Sequence, residues 1–268
     1  MSCCIKGEDG GIVGENAPGP LWGIGQNILD KHSLAPLEIL YHQQTLDGHV
    51  TTLFNELLYG ITDRLSLLLV VPVVVNNVQS AFHDQGIGDV ALQLEHAFYA
   101  EQKPGSRTRA TVIGSVIFPS APLNKIPYDG TGVLSFFTGY TLSHSNERWY
   151  YFISSGGLIT TTRQGLKPSN ILLYEGGLAR TLAVNKNMHL SVLLEGNGVY
   201  VGHVTQFSIV DQNSGFNVFF LGPTVRCLYK QFLAQVGVQF PVAQRFFGNQ
   251  IDFFDYRAAF YATWTFSF

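Results

Sequence analysis

From residue 36 to the C-terminus, apolar and polar residues alternate with a period of two in one short segment after another. Period two marks a strand, whose successive side chains point to opposite faces. The clearest segment is 255–268. Tyr256, Ala258, Phe260, Ala262, Trp264, Phe266 and Phe268 share one face, and Arg257, Ala259, Tyr261, Thr263, Thr265 and Ser267 share the other. Segment 231–240 sets Phe232, Ala234, Val236, Val238 and Phe240 against Gln231, Leu233, Gln235, Gly237 and Gln239. Twelve such strands are predicted, at about 36–45, 50–60, 63–76, 88–99, 107–118, 131–142, 148–160, 170–182, 187–200, 215–228, 231–240 and 255–268.

Their connections alternate in length. Those at 61–62, 100–106, 143–147, 183–186 and 229–230 are short, and those at 77–87, 119–130, 161–169, 201–214 and 241–254 are mostly long. The first, near Asp47-Gly48, is tight. An even strand number with short turns on one side and long loops on the other is the pattern of a transmembrane β-barrel. The predicted fold is all-β: an antiparallel barrel of about 12 strands spanning residues 36–268, with periplasmic turns and extracellular loops. Closure follows from the solvent, because hydrocarbon leaves no partner for the edge of an open sheet. Residues 1–35 are rich in Gly, Pro and Asn without a sustained period, and are expected to form a periplasmic arm or a plug in the lumen.

Composition agrees. Charged residues make up 13% of the 268, about half the usual quarter. A soluble sandwich would need polar outer faces, whereas these faces are Phe, Val, Leu and Trp. The apolar run Leu65–Val75 is 11 residues, too short for a membrane helix but long enough for a tilted strand. Aromatic residues fall near both strand ends, as interfacial girdles do. Tyr59, Phe98, Tyr99, Tyr140, Trp149, Tyr150, Tyr229, Trp264 and Phe266 are expected on the periplasmic side. Phe118, Tyr174, Tyr200, Phe216, Phe240, Phe253 and Phe254 are expected on the outer side. Outer-membrane lipid is therefore a partner, in the envelope of a Gram-negative cell. Export requires a signal peptide, and the start of this sequence does not show that pattern. The net charge of −3 comes without a basic stripe, which argues against nucleic acid.

With the apolar face toward lipid, the other face lines the lumen. It carries Glu56, Gln93, Glu95, Arg109, Glu175, Glu195, Asn197, Arg226, Gln235, Gln239, Arg257 and Tyr261. Hairpin arithmetic sets Glu175 opposite or diagonal to Glu195, and Glu95 diagonal to Arg109. Such charges either fill and stiffen the lumen or select solutes by charge. Leu58, Ile113, Ile117, Leu173 and Leu193 on the same face point to a narrow lumen or an apolar solute. Cys3, Cys4, Cys227 and the eight histidines show no metal spacing, and no cofactor is expected. His144-Ser145-Asn146 has the residue types of a lipid hydrolase, but neighbours in one turn seldom converge as a catalytic set must. The expectation is therefore a non-enzyme.

Several pieces also resemble a known family. They are Tyr59-Gly60-Ile61-Thr62-Asp63-Arg64-Leu65-Ser66-Leu67 continuing to Val71-Pro72, Gly86-Ile87-Gly88-Asp89-Val90, and Phe118-Pro119-Ser120. Together they are similar to the outer-membrane barrels named after the meta-pathway of phenol degradation. Ala121 stands where that family has Gly. The terminal Phe268 is similar to the C-terminal aromatic through which the barrel-assembly machinery engages its clients. The resemblance implies a barrel related to channels for hydrophobic compounds such as the FadL group, and assigns no functional residue. The leading expectation is passive passage of small molecules, hydrophobic or aromatic ones included. The alternatives are a closed structural or adhesion barrel acting through loop residues such as Ile126, Tyr128, Phe207, Phe246 and Phe247, and an outer-membrane lipid hydrolase.

Overall fold

The computed structural model describes residues 19–80, 82–122, 130–185, 187–249 and 253–268. Twelve long strands form the wall, labelled here in chain order: β1 Ser33–Thr45, β2 Gly48–Thr62, β3 Leu65–Gln79, β4 Val90–Lys103, β5 Ser106–Phe118 and β6 Ser135–Asn146. They continue as β7 Trp149–Thr160, β8 Ile171–Val184, β9 Met188–Val201, β10 Phe216–Tyr229, β11 Phe232–Phe246 and β12 Phe254–Trp264. Each pairs antiparallel with its sequence neighbours. β12 closes on β1 from Leu37↔Thr263 to Gln43↔Arg257. Among the described residues the ring of twelve strands is closed, so none of the twelve presents an edge to lipid.

The alternation read from sequence is the alternation of burial. On β12, Tyr261 is 4% exposed and its neighbour Phe260 is 48% exposed. Exposed Leu, Val, Ile and Phe cover the outside of every strand from β2 to β12, a wall suited to hydrocarbon.

Several expectations change. β6 runs to Asn146 rather than 142, because the turn is the pair Glu147-Arg148. β11 runs to Phe246 rather than 240. The register slips at Val242, where Phe219 faces Ala243 but Phe220 faces Pro241. A bulge reverses the in–out phase beyond it. Phe246 is thereby opposite Phe216 inside the barrel, and is not a loop tip. A second slip, at Asp255, turns Phe254 inward. Phe254, and also Phe216 and Tyr150 by the ordinary alternation of their strands, face the interior and take no part in the aromatic girdles expected to contain them. Ile126 and Tyr128 lie outside the described residues.

Pro72 sits within β3 where a donor is normally required. Its carbonyl accepts from Gly88 N–H at 2.9 Å, so its nitrogen faces the break at Gly88-Asp89 between the short strand Phe82–Ile87 and β4. The missing donor falls where the ladder is already interrupted. The slip expected at Pro72 itself lies a few residues on, at Val75.

That break is pinned by Asp89. Its carboxylate accepts from Ala121 N–H (3.1 Å), Thr131 N–H (2.6 Å) and the Thr131 hydroxyl (2.9 Å). Ser120 Oγ accepts from Val90 N–H at 2.8 Å and donates to Gly88 O at 3.0 Å. The Gly-Asp-Val and Phe-Pro-Ser pieces therefore meet in space and anchor the base of the loop after β5.

Candidate functional site: a lumen occupied by the chain's own arm

Residues 19–29 lie inside the barrel, and residues 30–32 emerge at the short-turn rim. Their partners come from strands all around the wall, an arrangement available only from within. Trp22 N–H points to Glu195 Oε1 on β9 (3.4 Å), and Ile24 N–H donates to Glu175 Oε2 on β8 (2.7 Å). The successive N–H groups of Gln26 and Asn27 take the two oxygens of Glu95 on β4, the second at 3.0 Å. Leu29 N–H donates to Ser66 Oγ and Lys31 N–H to Asp63 Oδ1, both at 3.0 Å. The wall donates in return. Asn197 Nδ2 reaches Trp22 O (3.0 Å), Thr141 Oγ1 reaches Ile24 O (2.7 Å), and Gln235 Nε2 reaches Gly19 O (3.1 Å). The Tyr150 hydroxyl donates to Gln26 Oε1 at 2.5 Å.

A buried chain without secondary structure must find partners for its backbone. Here the wall side chains supply them. The segment coils, bringing Gly19 back beside Gly25 and Gln26. Gly25 and Gln26 both have positive φ, 84° and 68°. The N–H groups of Gln26 and Asn27 at this bend both point to the Glu95 carboxylate. Gly25 is required on two counts, since an added Cβ would also lie 2.7 Å from Ile113 Cδ1 and 2.9 Å from Thr141 Oγ1.

Glu56, Gln93, Glu95, Arg109, Glu175, Glu195, Asn197, Arg226, Gln235, Gln239, Arg257 and Tyr261 all fall on the inward phase of their strands. Glu95, Glu175, Glu195, Asn197 and Gln235 bond directly to the arm. Gln239 and Arg257 act one step back. Arg257 donates from Nε (2.9 Å) and Nη2 (2.5 Å) to Gln239 Oε1, and Gln239 Nε2 donates to Asn197 Oδ1 at 2.7 Å. The Arg257 guanidinium also stacks between the rings of Trp22 (4.7 Å) and Phe220 (4.1 Å). Arg226 is buried at 3% exposure, as is Tyr261 at 4%. Glu56, Gln93 and Arg109 make no hydrogen bond to residues 19–32.

Glu175 and Glu195 are diagonal, since Glu175 pairs with Asn197 and Gly177 with Glu195. Glu95 is not diagonal to Arg109. It faces Ile113, because the turn is tighter than expected, at Pro104-Gly105, and a bulge at Phe98 takes back one residue of that shift. Among the described residues no ion pair reaches Glu95, Glu175 or Glu195, the single salt bridge being Lys103–Glu101.

Apolar layers bound this polar belt. Leu29 of the arm packs with Ala35, Leu37, Leu58, Leu68, Leu233 and Tyr261 toward the short-turn side. Toward the long-loop side, Phe220 and Phe254 pack with Phe216, Phe246 and Val218. Sequence reasoning missed the arm residues Trp22, Ile24, Gln26 and Asn27 and their wall partners Ser66, Thr141 and Tyr150. The aperiodicity of residues 1–35 was the available signal, and it does not say which atoms meet. Residues 1–18, with Cys3 and Cys4, lie outside the described residues.

His144, Ser145 and Asn146 do not converge. His144 faces outward, bonded to Thr108 Oγ1 at 2.8 Å and stacked on Tyr151. Ser145 is buried, and Asn146 Oδ1 caps the turn by accepting from Arg148 and Trp149 N–H.

No family model and no curated protein matches the chain. Among solved structures it is similar to the COG4313 outer membrane channel from Pseudomonas putida F1. The identity is 14% over 89% of this chain and 97% of that one, with a TM-score of 0.69. That likeness establishes a shared barrel fold. LpxR from Salmonella typhimurium gives 11% identity over 88% of this chain and all (100%) of that one, at a TM-score of 0.45. The TodX monoaromatic hydrocarbon channel deltaS2 mutant gives 7% over 90% of each, at 0.33. At those scores neither bears on function.

Proposed function

We propose that this protein is an outer-membrane channel for passive passage of small molecules, closed at rest by its own N-terminal arm. The observation that carries the reading is the bonding of the belt. Glu95, Glu175 and Glu195 face a lumen segment that is not part of the wall, and take four of its backbone N–H groups. A barrel that served only as a scaffold would satisfy its inward charges across the wall, leaving no covalently tethered, aperiodic piece in the lumen. Passage of hydrophobic or aromatic molecules fits the Leu and Phe layers on either side of the belt, and fits the resemblance to barrels of phenol degradation. Phe268, 88% exposed, is the residue we would expect the assembly machinery to engage, a reading that rests on the resemblance.

The test is planar-bilayer conductance of the refolded protein with and without residues 1–28. Rare, brief openings in the full chain and steady current after truncation are expected. Silence in both, from protein shown to be folded, would remove the channel reading.

A second reading has one observation in its favour. Thr205–Gln206 and Ile209–Val210 form a hairpin on the long-loop side. Its turn residues Phe207 and Ser208 both have positive φ, and Phe207 and Ile209 are 71% and 73% exposed. A strained, exposed apolar tip suits adhesion to a partner. It predicts binding lost on F207S/I209S with conductance unchanged.

A further inference from the structure

The arm's contacts describe what the lumen takes when the arm withdraws. Three carboxylates from opposite sides of the wall converge on residues 22–27, and each is occupied by N–H donors. Glu95 is the most telling. It is 2% exposed, has no ion-pair partner among the described residues, and holds two successive N–H groups on its two oxygens. An ammonium group presents the same feature, several N–H donors on one centre. Glu195 has spare capacity as well, since it is fully buried and its Oε2 has no hydrogen-bond partner. Withdrawal of the arm would remove the N–H donors that these carboxylates now hold and leave three acidic groups facing one narrow, protein-walled space. A cleft lined by charges of one sign concentrates the opposite charge, so the vacated belt favours whatever brings N–H groups and positive charge.

The flanking layers limit the rest of the molecule. Leu37, Leu58, Leu68 and Leu233 of the wall lie on one side of the belt and Phe220 and Phe254 on the other, so an apolar body has a surface to rest on in either direction once the arm has left. Aromatic faces also attract cations.

We infer that the lumen is a binding site for small organic amines, molecules with an ammonium head and an apolar body, with Glu95 as the head-group anchor and the arm as its built-in competitor. This rests on the channel reading for its biological use, but the binding claim stands or falls separately.

The test uses the full chain carrying W149F and W264F, so that Trp22 is the sole remaining tryptophan of three. The probes are 2-phenylethylamine and its near-isosteric neutral alcohol, 2-phenylethanol. Displacement of the arm moves Trp22 off Arg257 and shifts its emission to the red. The amine is expected to half-saturate this shift at a concentration at least tenfold below the alcohol. E95Q is expected to bring the two within about twofold, with folding checked by heat-modifiable gel mobility. E175Q serves as a second variant and narrows the gap if E95Q fails to fold. Equal action of the two probes, no shift with either, or an undiminished amine preference in a folded E95Q protein would each overturn the inference. Absence of current in the conductance experiment would instead overturn the channel reading, while the amine preference measured by Trp22 emission would still decide the binding claim.

Discussion

The backbone N–H of Ile24 donates to Glu175 Oε2 at 2.7 Å, joining the arm to a strand 151 residues away in sequence. It belongs to a set in which a buried, aperiodic segment is held by the wall through charged acceptors. Hydrogen bonds to charged groups contribute about 1.5–3 kcal/mol each. Glu175→Ala should therefore raise the open probability of the full-length protein roughly tenfold to a hundredfold, at about 1.4 kcal/mol per factor of ten. Single-channel recording measures this directly, and an unchanged open probability would detach Glu175 from gating.

Arg257 gives a different prediction, because it acts through planarity as well as charge. Its guanidinium lies between two rings while its N–H fork grips Gln239. A lysine ammonium can do one of these things but not both. Arg257→Ala should loosen the arm by about 2 kcal/mol, the range of a desolvated cation–π contact. Arg257→Lys should recover less than half of that. Red-shifted emission from Trp22 in the W149F/W264F background reports the loss, and full recovery with Lys would show that charge alone suffices.

Asp89 ties the loop after β5 through three accepted hydrogen bonds. Asp89→Ala should free the base of that loop, so that limited proteolysis within 119–134 becomes at least tenfold faster. Asp89→Asn, which keeps one acceptor oxygen, should fall between. The barrel itself should stay folded, since these bonds lie outside the ladder.

Glu38 is on the outward phase of β1, opposite Asn55, where neighbouring strands present Leu and Phe. A charged residue on the lipid face costs stability in a depth-dependent way, less for Glu than for Lys or Arg. Glu38→Leu should stabilise the barrel by roughly 1 kcal/mol, read as a higher denaturant midpoint for unfolding from lipid vesicles. A lower midpoint would mean that this face meets protein rather than lipid.

Where the sequence missed that Phe246 and Phe254 enter the lumen, a one-residue event was responsible. Glu95 kept its face, and the tight Pro104-Gly105 turn, offset by one residue at the Phe98 bulge, set it opposite Ile113. The slips at Val242 and Asp255 carried Phe246 and Phe254 into the lumen. A strand's side chains repeat every two residues, so one extra residue exchanges the faces. Nothing in the local pattern around Phe98 or Val242 marks that event.

The sequence by itself determined the wall. Alternation, the even strand number and the alternation of short and long connections specify a closed barrel, because hydrocarbon outside and paired backbone within allow no other use of such strands. It also placed Glu95, Glu175, Glu195 and Arg257 on the inner face, since period two is a local property. The tertiary structure alone decided what those residues do. Residues 19–29 have no period, so their position in the lumen depends on contacts such as Ile24 with Glu175 and Gln26 with Tyr150, more than a hundred residues apart. Those contacts are chosen by three-dimensional closure, which brings opposite walls to the same few residues of chain.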